Sequence, residues 1–115
     1  MRIGHIELFV RDPLASRDFY ELVLGFEVVA VQGTNVWVKL GDVEILLRRG
    51  SGASGGATYA SATAGIVLYV DDLPAARAQL ESRGLTFDGC DGGEKCPTFR
   101  DPDGHWFQLV NPQEH

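Results

Sequence analysis

Ile6-Glu7-Leu8-Phe9-Val10-Arg11-Asp12 returns later in the chain as Ile66-Val67-Leu68-Tyr69-Val70-Asp71-Asp72. Apolar residues alternate in both copies, the period of a strand with one buried face. Each copy runs through an Asp and a nearby Pro into a helix-like segment that ends in a glycine, Gly25 in the first and Gly84 in the second. The aspartates suit the N-cap, where a carboxylate accepts from orphan N–H groups, and a proline in the first turn loses no hydrogen bond. A strand–helix opening that occurs twice predicts two copies of one supersecondary unit.

The rest of each copy extends the pattern. After Phe19, Leu22 and Val23 at helical spacing within residues 13–24, the sequence predicts strands at Phe26–Val31, Val36–Leu40 and Val43–Arg49. Gln32-Gly33-Thr34-Asn35 and Gly41-Asp42 supply the turns between them. The first unit, residues 1–49, is therefore βαβββ. Residues 65–115 repeat the plan with strands at Gly65–Val70, Leu85–Asp88, Cys96–Arg100 and His105–Val110 and a helix from Asp72 through Arg83. Asp101-Pro102-Asp103-Gly104 makes the last hairpin turn, with proline fixing one φ and glycine taking a positive one. Residues 50–64, rich in Gly, Ser and Ala, read as a linker in which Tyr59 alone is large enough to tack the segment to the body.

A chain of 115 residues suffices for a single domain with a real core, and 44% hydrophobic with 23% charged residues is ordinary for a globular protein. A formal charge of −6 argues against nucleic acid and anionic membrane surfaces as partners. No apolar run approaches the roughly 18 residues of a membrane span. The first residues enter a strand pattern without a signal peptide's apolar stretch, so the expected location is the cytoplasm. Cys90 and Cys96 do not make a disulfide framework there, and without neighbouring histidines they read as ordinary thiols.

Strand parity separates core from candidate site. Ile6, Leu8 and Val10, with Ile66, Leu68 and Val70, form apolar faces that should pack on helices. The opposite faces carry His5, Glu7 and Phe9 in the first copy and Gly65, Val67 and Tyr69 in the second. In Val43–Arg49, Ile45 and Leu47 should join the core and leave Glu44, Leu46 and Arg48 opposite. In His105–Val110, Phe107 and Leu109 should go inward and leave Trp106, Gln108 and Val110 opposite. Polar and aromatic groups behind a satisfied core face are what a binding concavity needs.

With these faces assigned, the sequence resembles the vicinal oxygen chelate superfamily of glyoxalases, bleomycin-resistance proteins and extradiol dioxygenases. The resemblance rests on residues 4–12, Phe19-Tyr20 with Leu24-Gly25-Phe26, Val70-Asp71-Asp72, and Asp101–His105 leading to Gln108-Leu109. It implies an α+β fold in which two βαβββ modules form an eight-stranded, incompletely closed barrel around a cavity, often in homodimers. It also implies a divalent metal held from the first and last strands of each module. Carried over, those positions are His5, Glu44 and Gln108, while the fourth falls on Gly65, which has no side chain to offer.

His5, Glu44 and Gln108 would suit Zn²⁺, Ni²⁺, Mn²⁺ or Fe²⁺ with open positions for a vicinal-oxygen substrate. Gln108 cannot act as a base, and Glu7 stands on the face of His5 as a substitute or as a rim charge. Glu44 has Lys39 or Arg48 as expected ion partners. Without metal, Glu7, Phe9, Trp37, Tyr69, Phe99 and Trp106 would hold flat or cationic molecules by stacking and charge pairing. His105, in the turn, and the terminal His115 are set aside. Two functions are therefore expected: a small-molecule-binding protein that sequesters a drug or metabolite, or a metal-dependent lyase, isomerase or dioxygenase. The missing side chain at Gly65 places the binding protein first.

Overall fold

A computed structural model describes residues 1–53 and 56–114 of the chain. Ser54 and Gly55, within the expected linker, and His115 lie outside the described residues. The chain divides into two compact units, Met1–Ala53 and Ser54–His115. Each carries a small sheet and a helix, an α+β arrangement.

In the first unit, β1 (Ile6–Val10) leads to α1 (Pro13–Asp18) and then to β2 (Glu27–Gln32), β3 (Asn35–Leu40) and β4 (Val43–Arg49). The sheet order is β1-β4-β3-β2, with β1 parallel to β4 and the other pairs antiparallel. Asp12 caps α1 as its pattern demands, its Oδ1 accepting from the Ala15 N–H at 3.3 Å. The helix expected over 13–24 changes character halfway: Phe19–Val23 form a π-helical turn, closed by Leu24 N–H donating to the Phe19 carbonyl at 3.1 Å. Gly25 follows with φ 81°, so the chain reverses into β2 at little steric cost. Parity holds over most of the sheet, but Ile6, expected in the core, is 37% exposed, and Leu46, expected opposite it, is buried. Val10, Val36, Val38, Ile45 and Leu47 are buried with Tyr20 and Phe26. Each such fully buried aliphatic side chain contributes about 1.5–3 kcal/mol.

In the second unit, β5 (Gly65–Tyr69) is followed by α2 (Leu73–Ser82), β6 (Thr98–Arg100) and β7 (Trp106–Val110), in sheet order β5-β7-β6. Asp72 Oδ1 accepts from Ala75 N–H at 3.0 Å, the same cap as Asp12, and Gly84 (φ 98°) ends the helix. The strand expected at Leu85–Asp88 does not form a ladder. Asp88 N–H donates to the Thr98 carbonyl at 2.7 Å, but its own carbonyl accepts from the Thr98 hydroxyl at 2.6 Å. Thr98 N–H then donates to the Gly89 carbonyl at 3.1 Å, and the pairing ends in an isolated bridge between Cys90 and Pro97, where proline has no N–H to continue it. Pro97 also trims the expected strand at Cys96–Arg100 to Thr98–Arg100. Within residues 50–64, read as a linker, Tyr59–Ser61 form one 3₁₀ turn capped reciprocally by Thr58 and Ser61. No helix among the described residues is long and apolar enough to cross a membrane.

Candidate functional site

The register of β1, β4 and β3 assembles one polar and aromatic face in the first unit. Glu7 is paired with Leu46 and Phe9 with Arg48, while Trp37 lies opposite Leu46 and Lys39 opposite Glu44. Cross-strand partners share a face, so Glu7, Phe9, Trp37, Glu44 and Arg48 all stand behind the aliphatic core. His5, immediately before β1, joins them. Its Nε2 donates to Glu7 Oε2 at 2.8 Å, and its ring meets Trp37 edge-on at 4.7 Å between centroids.

Glu7 is the hub of this face. Arg48 Nη1 donates to its other oxygen at 3.0 Å, and the Arg48 guanidinium lies 5.6 Å from the centre of the Phe9 ring. The hydrogen bond from His5, followed by that from Arg48, holds the Glu7 carboxyl below its ordinary range. Arg48 thus serves Glu7, which corrects its expected pairing with Glu44. Arg48 and Glu7 face each other across the β1–β4 pair, whereas Glu44 faces Lys39 in the ladder and forms no ion pair among the described residues.

In the second unit the parallel register of β5 and β7 puts Gly65 beside Trp106, Val67 beside Gln108 and Tyr69 beside Val110. The 3₁₀ turn delivers Tyr59 onto this face. A Cβ built at Gly65 would collide with the Tyr59 ring and hydroxyl, so the tyrosine occupies the space a side chain there would need. Tyr59 also meets Trp106 edge-on at 6.3 Å, and the Trp106 indole N–H donates to the Gly56 carbonyl at 3.0 Å. The Arg100 guanidinium covers Trp106 at 5.0 Å. Gln108, buried, donates through Nε2 to Asp91 Oδ2 at 2.8 Å. Burial, and then the Asp91 charge, push the Tyr59 phenol above its ordinary range.

Phe99 is not on this face. It is fully buried, stacked on Phe107 at 5.1 Å with ring planes 6° apart, and edge-on to Phe87. Phe99 and Phe107 are register partners, so once Phe107 goes to the core Phe99 must follow it. Trp106 is also buried, beneath Tyr59 and Arg100, and offers little area of its own. The sequence pattern did not reveal Tyr59 over Gly65 or Asp91 bound to Gln108, since both contacts come from loops. A cleft of about 470 Å³ near the start of α2, lined by Leu73, Pro74, Arg77, Cys90, Glu94 and Pro97, contains none of the expected site residues.

The donor chemistry fits a divalent metal poorly. His5 Nε2 is engaged by Glu7, Gly65 gives no side chain, and Gln108 offers only the weak donor of a neutral amide oxygen. Among the described residues, no three His, Cys, Asp or Glu side chains are grouped to hold a metal ion.

The sequence profile of the glyoxalase/bleomycin resistance protein/dioxygenase superfamily matches residues 2–109. The chain belongs to that superfamily. No curated protein matches it significantly by sequence. Among solved structures, one of this superfamily from Sphaerobacter thermophilus is 28% identical, with coverage of 96% of this chain and 98% of that one and a TM-score of 0.70. TnmS3, an antibiotic binding protein from a Streptomyces species, is also 28% identical, covering 97% and 98% of the two chains at a TM-score of 0.69. The superfamily fold extends to a fosfomycin resistance protein of Listeria monocytogenes, solved with Mn(II) and sulfate. That chain is 16% identical at a TM-score of 0.77, with 96% of this chain and 89% of that one covered.

Proposed function

We propose that this superfamily member binds and sequesters a flat, cationic small molecule, a drug or a metabolite, through exposed aromatic side chains on its sheet faces. One observation carries this reading: large aromatic side chains stand on the faces opposite the core without being buried. Tyr69 is 73% exposed and Phe9 46% exposed. Such surfaces stack on flat ligands, and Glu7, Glu44 and the net charge of −6 favour a positive one. The likeness to an antibiotic binding protein at 28% identity supports the same class of activity. The engaged His5, the bare Gly65 and the amide of Gln108 favour binding without a metal over the metal-dependent lyase, isomerase or dioxygenase. A homodimer in the cytoplasm belongs to this proposal, and the apolar Val29 and Val31 of edge strand β2, both about half exposed, are its proposed contact.

Calorimetric titration with proflavine, a flat diaminoacridinium cation, tests the function. Saturable binding that weakens in Phe9→Ala and Tyr69→Ala is expected. Metal analysis after dialysis against Zn²⁺, Ni²⁺, Mn²⁺ and Fe²⁺ should find no stoichiometric ion. Near-stoichiometric metal that disappears in His5→Ala would instead establish the metal-dependent alternative. Light scattering should give the mass of a dimer.

A further inference from the structure

The face of β5 and β7 contains two polar groups that the fold leaves unused. The Tyr59 hydroxyl, lying over Gly65, has no hydrogen-bond partner among the described residues. Gln108 spends its Nε2 on Asp91, and its Oε1 likewise has no partner among them, although the residue is only 7% exposed. Neither atom belongs to the sealed, unsatisfied kind, so both reach solvent. Gln108 lies beside Val67, two residues along β5 from Gly65, which sets the phenol and the amide oxygen diagonally adjacent on one face. Asp91, exposed and bound to Gln108, adds a carboxylate close enough to raise the phenol's pKa.

An acceptor open to solvent is served by water, and a ligand N–H can take that water's place. Here the unused atoms share a chemistry. A glutamine Oε1 only accepts, a carboxylate only accepts, and a phenol oxygen accepts through its lone pairs. Three acceptors on one face call for a ligand group rich in N–H donors. Arg100, the nearest guanidinium on this face, is turned to Asp88 at 2.7 Å and to the Trp106 ring.

We infer that Tyr59, Gln108 and Asp91 form a subsite for a protonated amine or amidine of the ligand, with Tyr59 brought in by the linker to fill the place left by Gly65. This rests on the small-molecule reading above and names the part of the ligand that the second unit recognises. The linker is then part of the binding surface. Tyr59 becomes a specificity residue: its hydroxyl selects N–H donors, while its ring covers Trp106.

The test compares proflavine with acridine, which has the same ring system but no amino groups, at a pH where acridine is neutral. Wild-type protein should prefer proflavine. Tyr59→Phe, which keeps the ring over Gly65, should weaken proflavine binding by about three- to ten-fold, the worth of one hydrogen bond. Asp91→Asn should weaken it by about ten-fold, since a charged partner is lost. Acridine affinity should change in neither variant, and thermal unfolding confirms that both are folded. If wild-type protein binds proflavine but both variants bind it equally well, the subsite is wrong and the binding function stands. If wild-type protein binds neither dye, the functional proposal fails and takes the subsite with it.

Discussion

Tyr59 lies across Gly65 so closely that no Cβ fits beneath it. The two residues are coupled although one is in a linker and the other begins a strand. Gly65→Ala should therefore destabilise the protein by about 1–3 kcal/mol, the usual cost of overpacking. The same substitution in a Tyr59→Ala background should cost less, giving a coupling above about 0.5 kcal/mol in a double-mutant cycle. Additive effects by chemical denaturation would show that the tyrosine leaves Gly65 in solution.

Glu7 provides a pH test on the first unit. Its carboxyl is lowered by the hydrogen bonds from His5 and Arg48, in that order. A depressed carboxylate contributes its stability in full above the ordinary glutamate value and loses it as pH falls through the lowered one. Carboxyl-carbon NMR should find Glu7 titrating below its ordinary range. His5→Ala should move it back further than Arg48→Ala does.

Phe99 should behave as core and not as site. Phe99→Ala and Phe107→Ala should each cost about 3–5 kcal/mol in denaturant unfolding. Against each other they should show an aromatic coupling of about 0.5–1.5 kcal/mol. A conservative Phe99→Leu should leave proflavine affinity unchanged, and a selective loss of binding in that variant would return Phe99 to the ligand face.

The two thiols should differ sharply in reactivity. Cys90 is exposed and Cys96 buried, and burial followed by the charges of Asp91 and Cys90 raises the Cys96 thiol above its ordinary range. Thiolate is the reactive species. A disulfide reagent should label Cys90 promptly and Cys96 only on unfolding. Equal rates would mean that the turn over Cys96 opens readily.

The parts of the fold that were legible in the sequence are those set by local chemistry. Alternation in Ile6–Val10, Val43–Arg49 and Gly65–Tyr69 gave both strands and faces, and Asp12 and Asp72 mark both helix starts. The face of Phe99 was also open to deduction. The turn at Asp101–Gly104 sets a register in which Phe99 pairs with Phe107, and one assignment to the core decides the other. What stayed hidden depends on distant chain meeting in space. The phenol over Gly65, the Asp91–Gln108 bond and the choice of Glu7 by Arg48 leave no periodic trace. Leu85–Asp88 has sound alternation, yet among the described residues only its last member, Asp88, reaches the backbone of β6, at Thr98. The π-helical turn at Phe19–Val23 likewise has no signature that separates it from an ordinary last turn.

The duplicated Asp caps and aliphatic strand faces bear a consequence for surface variation. In the first unit the aliphatic residues that secure folding lie mainly on one side of the sheet, whereas β7 of the second unit is buried along both faces. A repeat built this way can carry different residues on its exposed faces while the shared caps keep the helices in place. Gly65 under Tyr59 shows how such a surface can be composed from two places: the strand offers no side chain there, and a residue of the linker covers it.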